Sequence, residues 1–147
     1  MGDPRIARLH RWIDGLLTDG RPFLAVCLSH QVVGHRLGLR LPRREVPNQG
    51  VQKEIDLFGH RECVGFYNSF SLRSAADQVL AAGIGPVEIC RDVSGEVHGL
   101  RGPFFATIQF HAESVLTRDG VRILGRLLTD ILAHHTSYAM AQELPIT

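Results

Sequence analysis

Two stretches hold residue types that together can break an acyl bond. In Arg21 to His35, RPFLAVCLSHQVVGH, a short apolar run at Pro22 to Val26 reads as a buried strand, and apolar residues recur at helical spacing from Leu28 to Leu37. Cys27 therefore falls where a strand turns into a helix. A sulfur there stands at the carboxyl end of a sheet, beside the unpaired N–H groups and positive dipole end of a helix, which favour the nucleophilic thiolate. On this stretch alone the commoner reading is a small buried hydrophobe, as most free cysteines are. The second stretch, Thr107 to Glu113 (TIQFHAE), shifts the balance. Phe104 to Phe110 reads as another buried strand, which puts His111 and Glu113 just past its end, on one side of an extended backbone. A nucleophilic cysteine needs a histidine to take and return a proton, and the histidine needs a third group to fix its tautomer and stabilise the imidazolium. Cys27, His111 and Glu113 are thus the candidate catalytic residues, all at strand carboxyl ends, where open α/β sheets place their sites.

The elements that must position them follow from the pattern along the chain. Asp3-Pro4 is a helix start, with Asp capping free N–H groups and Pro losing nothing at the first helical position; Ile6, Leu9, Ile13, Leu16 and Leu17 then form one apolar face, stopped at Gly20. The strand at 22–26, the turn at Cys27 and the helix at 28–37 come next. From Leu39 to Leu72, Pro42, Pro47, Asn48 and Gly50 punctuate short extended segments, which predicts irregular β structure. Ala75 to Ala82 reads as a short helix or turn ended by Gly83. Val87 to Asp92 and Glu96 to Arg101 flank Val93-Ser94-Gly95, a hairpin signal. Asp119 to His135 carries Val121, Leu124, Leu127, Leu128, Ile131 and Leu132 at helical spacing, and Thr136 to Thr147 is expected to fray. Strands alternating with amphipathic helices predict a three-layer α/β/α architecture with a mainly parallel sheet. A crossover helix at 4–19 normally packs between two strands of one sheet, so the opening of the chain leads us to expect an incomplete domain, with no strand ahead of that helix.

Composition narrows the field without naming a function. At 147 residues the chain is one domain, 1–147, large enough for a core. The 44% hydrophobic and 21% charged content is that of an ordinary globular protein, and a net charge of +1 gives no electrostatic reason to expect nucleic acid or an anionic membrane as partner. No apolar run approaches the ~20 residues of a membrane span. Asp3 and Arg5 stand where a signal peptide would need an apolar core. The three cysteines, Cys27, Cys63 and Cys90, are odd in number and widely spaced, so neither a disulfide framework nor a metal site is expected, and the compartment expected is the reducing cytoplasm.

AVCLSHQ (Ala25 to Gln31) followed by QFHAES (Gln109 to Ser114) resembles the class I glutamine amidotransferases, whose usual forms are GVCLGHQ and QFHPES, and Gly2-Asp3-Pro4 is similar to the end of that family's oxyanion-loop motif, PGPGDP. The resemblance implies hydrolysis of glutamine to glutamate and ammonia by a Cys-His-Glu triad, in a three-layer α/β/α, flavodoxin-like fold whose N-terminal β-α-β portion, present in relatives, is expected to be lacking here. It assigns the oxyanion-stabilising N–H groups to Gly2 and Leu28, contact with substrate glutamine to Gln31, and the grip on its amino-acid end to the backbone of Ser69 and Phe70. Within the family, VPNQGVQKEIDLFG (Val46 to Gly59) and ECVGFYNSF (Glu62 to Phe70) look most like the amidotransferase domain of the phenazine-pathway, anthranilate-synthase-like enzymes. That likeness implies a chorismate-converting synthase domain or subunit as partner, 2-amino-2-desoxyisochorismate as product, a homodimer formed through the synthase, and no cofactor in this domain, Mg²⁺ being expected only in the synthase. The alternatives are the glutaminase component of anthranilate or aminodeoxychorismate synthase, and a non-catalytic remnant acting as an interaction module. Some positions depart from the family pattern: Ala25 and Ser29 replace glycines around the nucleophile, Ala112 replaces a proline, and FYNSF (Phe66 to Phe70) stands where many relatives have RYHSL.

Overall fold

The computed structural model describes residues 3–143. In chain order the elements are α1 (Pro4–Asp19), β1 (Phe23–Val26), α2 (Leu28–Arg36), β2 (Val51–Leu57), β3 (His60–Phe66), β4 (Gln78–Ala81), β5 (Gly85–Arg91), β6 (Val97–Arg101), β7 (Phe105–Ile108) and α3 (Gly120–Glu143). Five strands form one sheet in the order β1-β7-β6-β5-β4, while β2 and β3 pair as a separate hairpin. Alternation along β7 shows how the layers arise. Phe105 joins a core shared with Ile13 and Leu17 of α1 and Val32 and Val33 of α2. Its neighbours Ala106 and Ile108 point the other way, into a core built with Ile123, Leu127 and Ile131 of α3 and with Ile55, Leu57, Val64 and Phe66 of the hairpin. The three-layer α/β class therefore holds.

The capping expected at α1 is present: Asp3 accepts from the Arg5 N–H at 2.8 Å, and Gly20 closes the helix in the left-handed region. Other expectations need correcting. The sheet is not mainly parallel among the described residues, because β4 to β7 follow one another through short connections that force antiparallel pairing; β1 and β7, far apart in the chain, pair in parallel. The segment read as a short helix at Ala75 to Ala82 instead contains β4. Its residues are good helix formers, but a turn through Gly83, closed by the Ile84 N–H on the Ala81 carbonyl, reverses the chain onto β5. The irregular β stretch is more regular than expected, since β2 and β3 run in register from Val51↔Phe66 to Leu57↔His60 around Phe58-Gly59, both at positive φ. Phenylalanine is an unusual residue for such a turn, which hides it from a sequence reading. Finally, α3 continues past His135 to Glu143, so residues 136–143 of the expected frayed tail are helical, tied down in part by Tyr138 against Phe104. Among the described residues no helix is long and apolar enough to cross a membrane.

Candidate active site

The parallel pairing of β1 with β7 brings the two motif stretches to one sheet end. Val26 lies opposite Ile108, and the ladder continues one step further as the Cys27 N–H donates to the Ile108 carbonyl at 2.9 Å. Cys27 then breaks direction sharply, with φ 55° and ψ −107°, a conformation that costs a non-glycine residue energy and that its surroundings must impose. They do so from both sides, since its carbonyl already accepts the Gln31 N–H of α2 at 3.1 Å. The turn forms with Ala25 buried and Ser29 at the start of α2, so neither replaced glycine prevents it.

The half-buried Cys27 sulfur receives Gln109 Nε2 as a donor at 3.5 Å and stands next to the Leu28 N–H at the head of α2. Burial nevertheless dominates and raises the thiol pKa, the Leu28 and Gln109 bonds pull it down, and the negative charge of Glu113 adds to the rise. The helix end thus acts as expected but does not win. Cys90, buried and hydrogen-bonded to the Asp56 carbonyl, is pushed up to about 11.

His111 is clamped through its backbone. Its N–H donates to the Gly65 carbonyl of β3 at 3.1 Å, and its own carbonyl accepts from Thr117 Oγ1 at 2.6 Å, which in turn accepts the Gly65 N–H at 2.9 Å. Its ring lies edge-on to Tyr67, 5.5 Å between centroids, and Tyr67 bonds the Ser114 hydroxyl at 2.8 Å. Nδ1 of His111 meets Glu113 Oε1 at 2.9 Å. The Glu113 carboxyl is held below its ordinary range by its own backbone N–H and by His111. A carboxylate there requires the proton on Nδ1, which leaves Nε2 as the basic nitrogen.

Two groups of side chains are therefore assembled on neighbouring strand ends: His111 with Glu113, and Cys27 with Gln109 and Gln31. Among the described residues no hydrogen bond joins Cys27 to His111. Gln31 is buried and donates to the Phe70 carbonyl at 3.0 Å and to Gln109 Oε1 at 2.9 Å, which brings the Ser69–Phe70 segment up against α2. Ser69 is exposed and its carbonyl accepts the Arg44 N–H; the Phe70 ring carries the Arg43 guanidinium 5.2 Å from its centroid. Gly2 lies outside the described residues. Gln109 and Tyr67 are the site residues that the sequence reading passed over. Gln109 had a visible signal, being with Thr107 one of two polar residues in an apolar strand and on the same face, towards α2. His30 is fully buried with Nδ1 2.7 Å from Thr107 Oγ1, and bolts α2 to β7. No group of three or more His, Cys, Asp and Glu among the described residues is placed to hold a metal ion.

A mixed α/β fold with a cysteine at a strained strand-to-helix turn, beside a histidine held by a carboxylate, defines a class of protein that the comparisons identify. Residues 1–131 match the glutamine amidotransferase class-I family, and the chain belongs to it. Its sequence is 60% identical over 132 residues to a phenazine-specific anthranilate synthase of Pseudomonas fluorescens, a match covering 89% of this chain and 21% of that protein. It is also 37% identical over 117 residues to anthranilate synthase component 2 of Archaeoglobus fulgidus, covering 78% of this chain and 64% of that one. The chain thus spans about a fifth of the length of the phenazine-type relative. A solved glutamine amidotransferase of Thermotoga maritima shares the fold with a TM-score of 0.58 at 18% identity, over 75% of this chain and 48% of that one.

Proposed function

We propose that this chain is a glutaminase that hydrolyses the side-chain amide of glutamine and supplies the ammonia for amination of chorismate to 2-amino-2-desoxyisochorismate by a synthase domain or subunit. The observation that carries the chemistry is the strained turn at Cys27 beside the 2.9 Å contact of His111 Nδ1 with Glu113. In this reading His111 Nε2 takes the Cys27 proton, and the sulfur attacks the amide carbon. The C–N bond breaks, the nitrogen leaving as ammonia with the proton that His111 returns. Water then gives a proton to His111, its oxygen attacks the thioester, and the C–S bond breaks to release glutamate and regenerate Cys27. The tetrahedral oxyanion would be met by the N–H groups of Leu28 and Gly2. Both N–H groups of Gln31 are committed to Phe70 and Gln109, so its Oε1 is left as an acceptor, suited to the ammonium group of glutamine. The Phe70 backbone, turned away from Arg43 in an antiparallel bridge, completes the grip with Ser69. No cofactor enters these steps; Mg²⁺ is assigned to the synthase.

The acceptor is proposed from the 60% identity to the phenazine-specific relative. The 37% identity to an anthranilate synthase component supports the second reading, in which the product is anthranilate. One experiment separates them. The chain is combined with the chorismate-converting domain, chorismate, Mg²⁺ and glutamine, and products are identified by mass, with a glutamine-derived diazoketone as inhibitor. We expect 2-amino-2-desoxyisochorismate, abolished when the diazoketone labels Cys27 while sparing Cys63 and Cys90. Anthranilate and pyruvate as sole products would favour the second reading, and equal labelling of all three cysteines would remove Cys27 as nucleophile.

A further inference from the structure

One backbone carbonyl sets the polarity of every amide between Phe70 and the sulfur. The Phe70 C=O can only accept, so Gln31 must turn its NH₂ group to it, at 3.0 Å. The same NH₂ reaches Gln109 at 2.9 Å, so Gln109 must meet it with Oε1. What remains of the Gln109 amide is Nε2, which faces Cys27 Sγ at 3.5 Å and can only donate. Upstream the series is pinned again: Asn48 Nδ2 donates to Asn68 Oδ1 at 3.0 Å, and Asn68 Nδ2 donates to the same Phe70 carbonyl at 2.7 Å. Reversing either glutamine would set two donors or two acceptors face to face, and Gln31 and Gln109 are only 7% and 1% exposed, where an unmatched polar group is most costly. An obligatory donor pointed at a sulfur suits the anion, which only accepts, better than the thiol.

We propose that Gln109 is a catalytic residue that stabilises the anionic Cys27 sulfur, and that Gln31 is a positioning residue that, through Gln109, keeps this donor aimed at it. The use made of that anion rests on the glutaminase reading above. Gln31 then does two things at once, its nitrogen orienting the donor to the nucleophile while its oxygen is free for substrate.

The test follows alkylation of Cys27 by iodoacetamide against pH on the full chain, scored by mass on the Cys27 peptide. The reagent is small and neutral and needs no recognition of glutamine, so the profile reports ionisation of the sulfur alone. Gln109→Met should move the profile to higher pH and slow alkylation at fixed pH on its acid side by roughly three- to tenfold. Gln31→Met, whose side chain does not bond the sulfur, should move it the same way by less, because the Gln109 amide loses the partner that orients it; an unmoved profile there removes Gln31 from the proposal. Should Gln109→Met fail to fold, Gln109→Glu decides, since its carboxylate sets an acceptor and a charge against the sulfur and should move the profile further up. An unchanged profile in whichever Gln109 variant folds overturns the proposal. The glutaminase reading stands or falls separately: failure of the unaltered chain, with its synthase, to release glutamate from glutamine would sink that reading and leave the pH profiles as they are.

Discussion

Glu113 holds His111 from the wet side of the site. Its side chain is 72% exposed, so the charge that fixes the imidazole is largely solvated, unlike the buried aspartate of a serine protease triad. Water can replace part of what the carboxylate does, because the His111 backbone is fixed independently by Gly65 and Thr117. Glu113→Gln should therefore lower glutaminase turnover by about 10²-fold, well short of Cys27→Ala or His111→Ala, where the reacting group itself is gone. Steady-state rates of ammonia release from the three variants decide this, and undiminished turnover in Glu113→Gln would mean that another group orients the histidine.

At the scale of elements, the site depends on how closely α3 starts behind the histidine turn. A Cβ built on Gly120, the first residue of α3, would sit 1.9 Å from the Ala112 carbonyl oxygen, between His111 and Glu113. Backbone cannot yield there without moving the pair. Gly120→Ala should cost roughly 1–3 kcal/mol of stability by overpacking and lower kcat for glutamine more than it changes KM, while iodoacetamide alkylation of Cys27, held by β1 and α2, keeps its pH profile. The same helix is tied to β3 by a buried carboxylate: Glu62 receives Arg122 at 2.7 Å and Arg126 at 2.9 Å. Burial opposes charge on Glu62, but the two guanidinium groups outweigh it and hold the carboxyl below its ordinary range. Since β3 also supplies the Gly65 carbonyl to His111, this clamp and the Thr117 staple set the same spacing from two sides.

Across the whole molecule the buried histidines and carboxylates act in one direction. Burial lowers the His30 pKa from 6.5 to about 3, which keeps it neutral in the fold where the unfolded chain would take up a proton below about pH 6.5, and burial lowers that of His98 as well, so it too binds its proton less readily in the fold. The carboxyls of Glu62, Glu96 and Asp92 are desolvated by burial yet are held below their ordinary range by their hydrogen-bond and charge partners. In both cases the unfolded state binds more protons as pH falls, so stability rises with pH and is lost on acidification. The histidine part should go first, from about pH 6.5 downwards, with His30 contributing about 1.4 kcal/mol per pH unit while it stays neutral, and the carboxylate part below about pH 4.5. Thermal unfolding between pH 8 and 4 should show a melting temperature that is level above pH 7 and falls below 6.5, with a clearly shallower fall in His30→Asn. A level profile from pH 7 to 5 would contradict the burial of His30 as a neutral group.

The local structure around the candidate site was legible without coordinates. Strand 23–26, helix 28–36 and the turn between them follow from periodicity alone, as does the placement of the candidates Cys27, His111 and Glu113 at or just past strand ends. Those features depend on neighbours within a few residues, which a sequence displays. Pairing is not displayed: β4 is a strand because β5 lies beside it, and the sheet is mostly antiparallel because the turns after Ala81, Arg91 and Arg101 reverse the chain. The same holds for polarity at the sulfur. Gln31, Phe70 and Gln109 lie on α2, on the segment after β3 and at the end of β7, and the direction in which their amides point is settled by one carbonyl that only the folded chain brings to Gln31. Whether the sulfur is favoured as anion or thiol is likewise a contest between a helix end, which sequence can locate, and burial, which is a property of the whole fold.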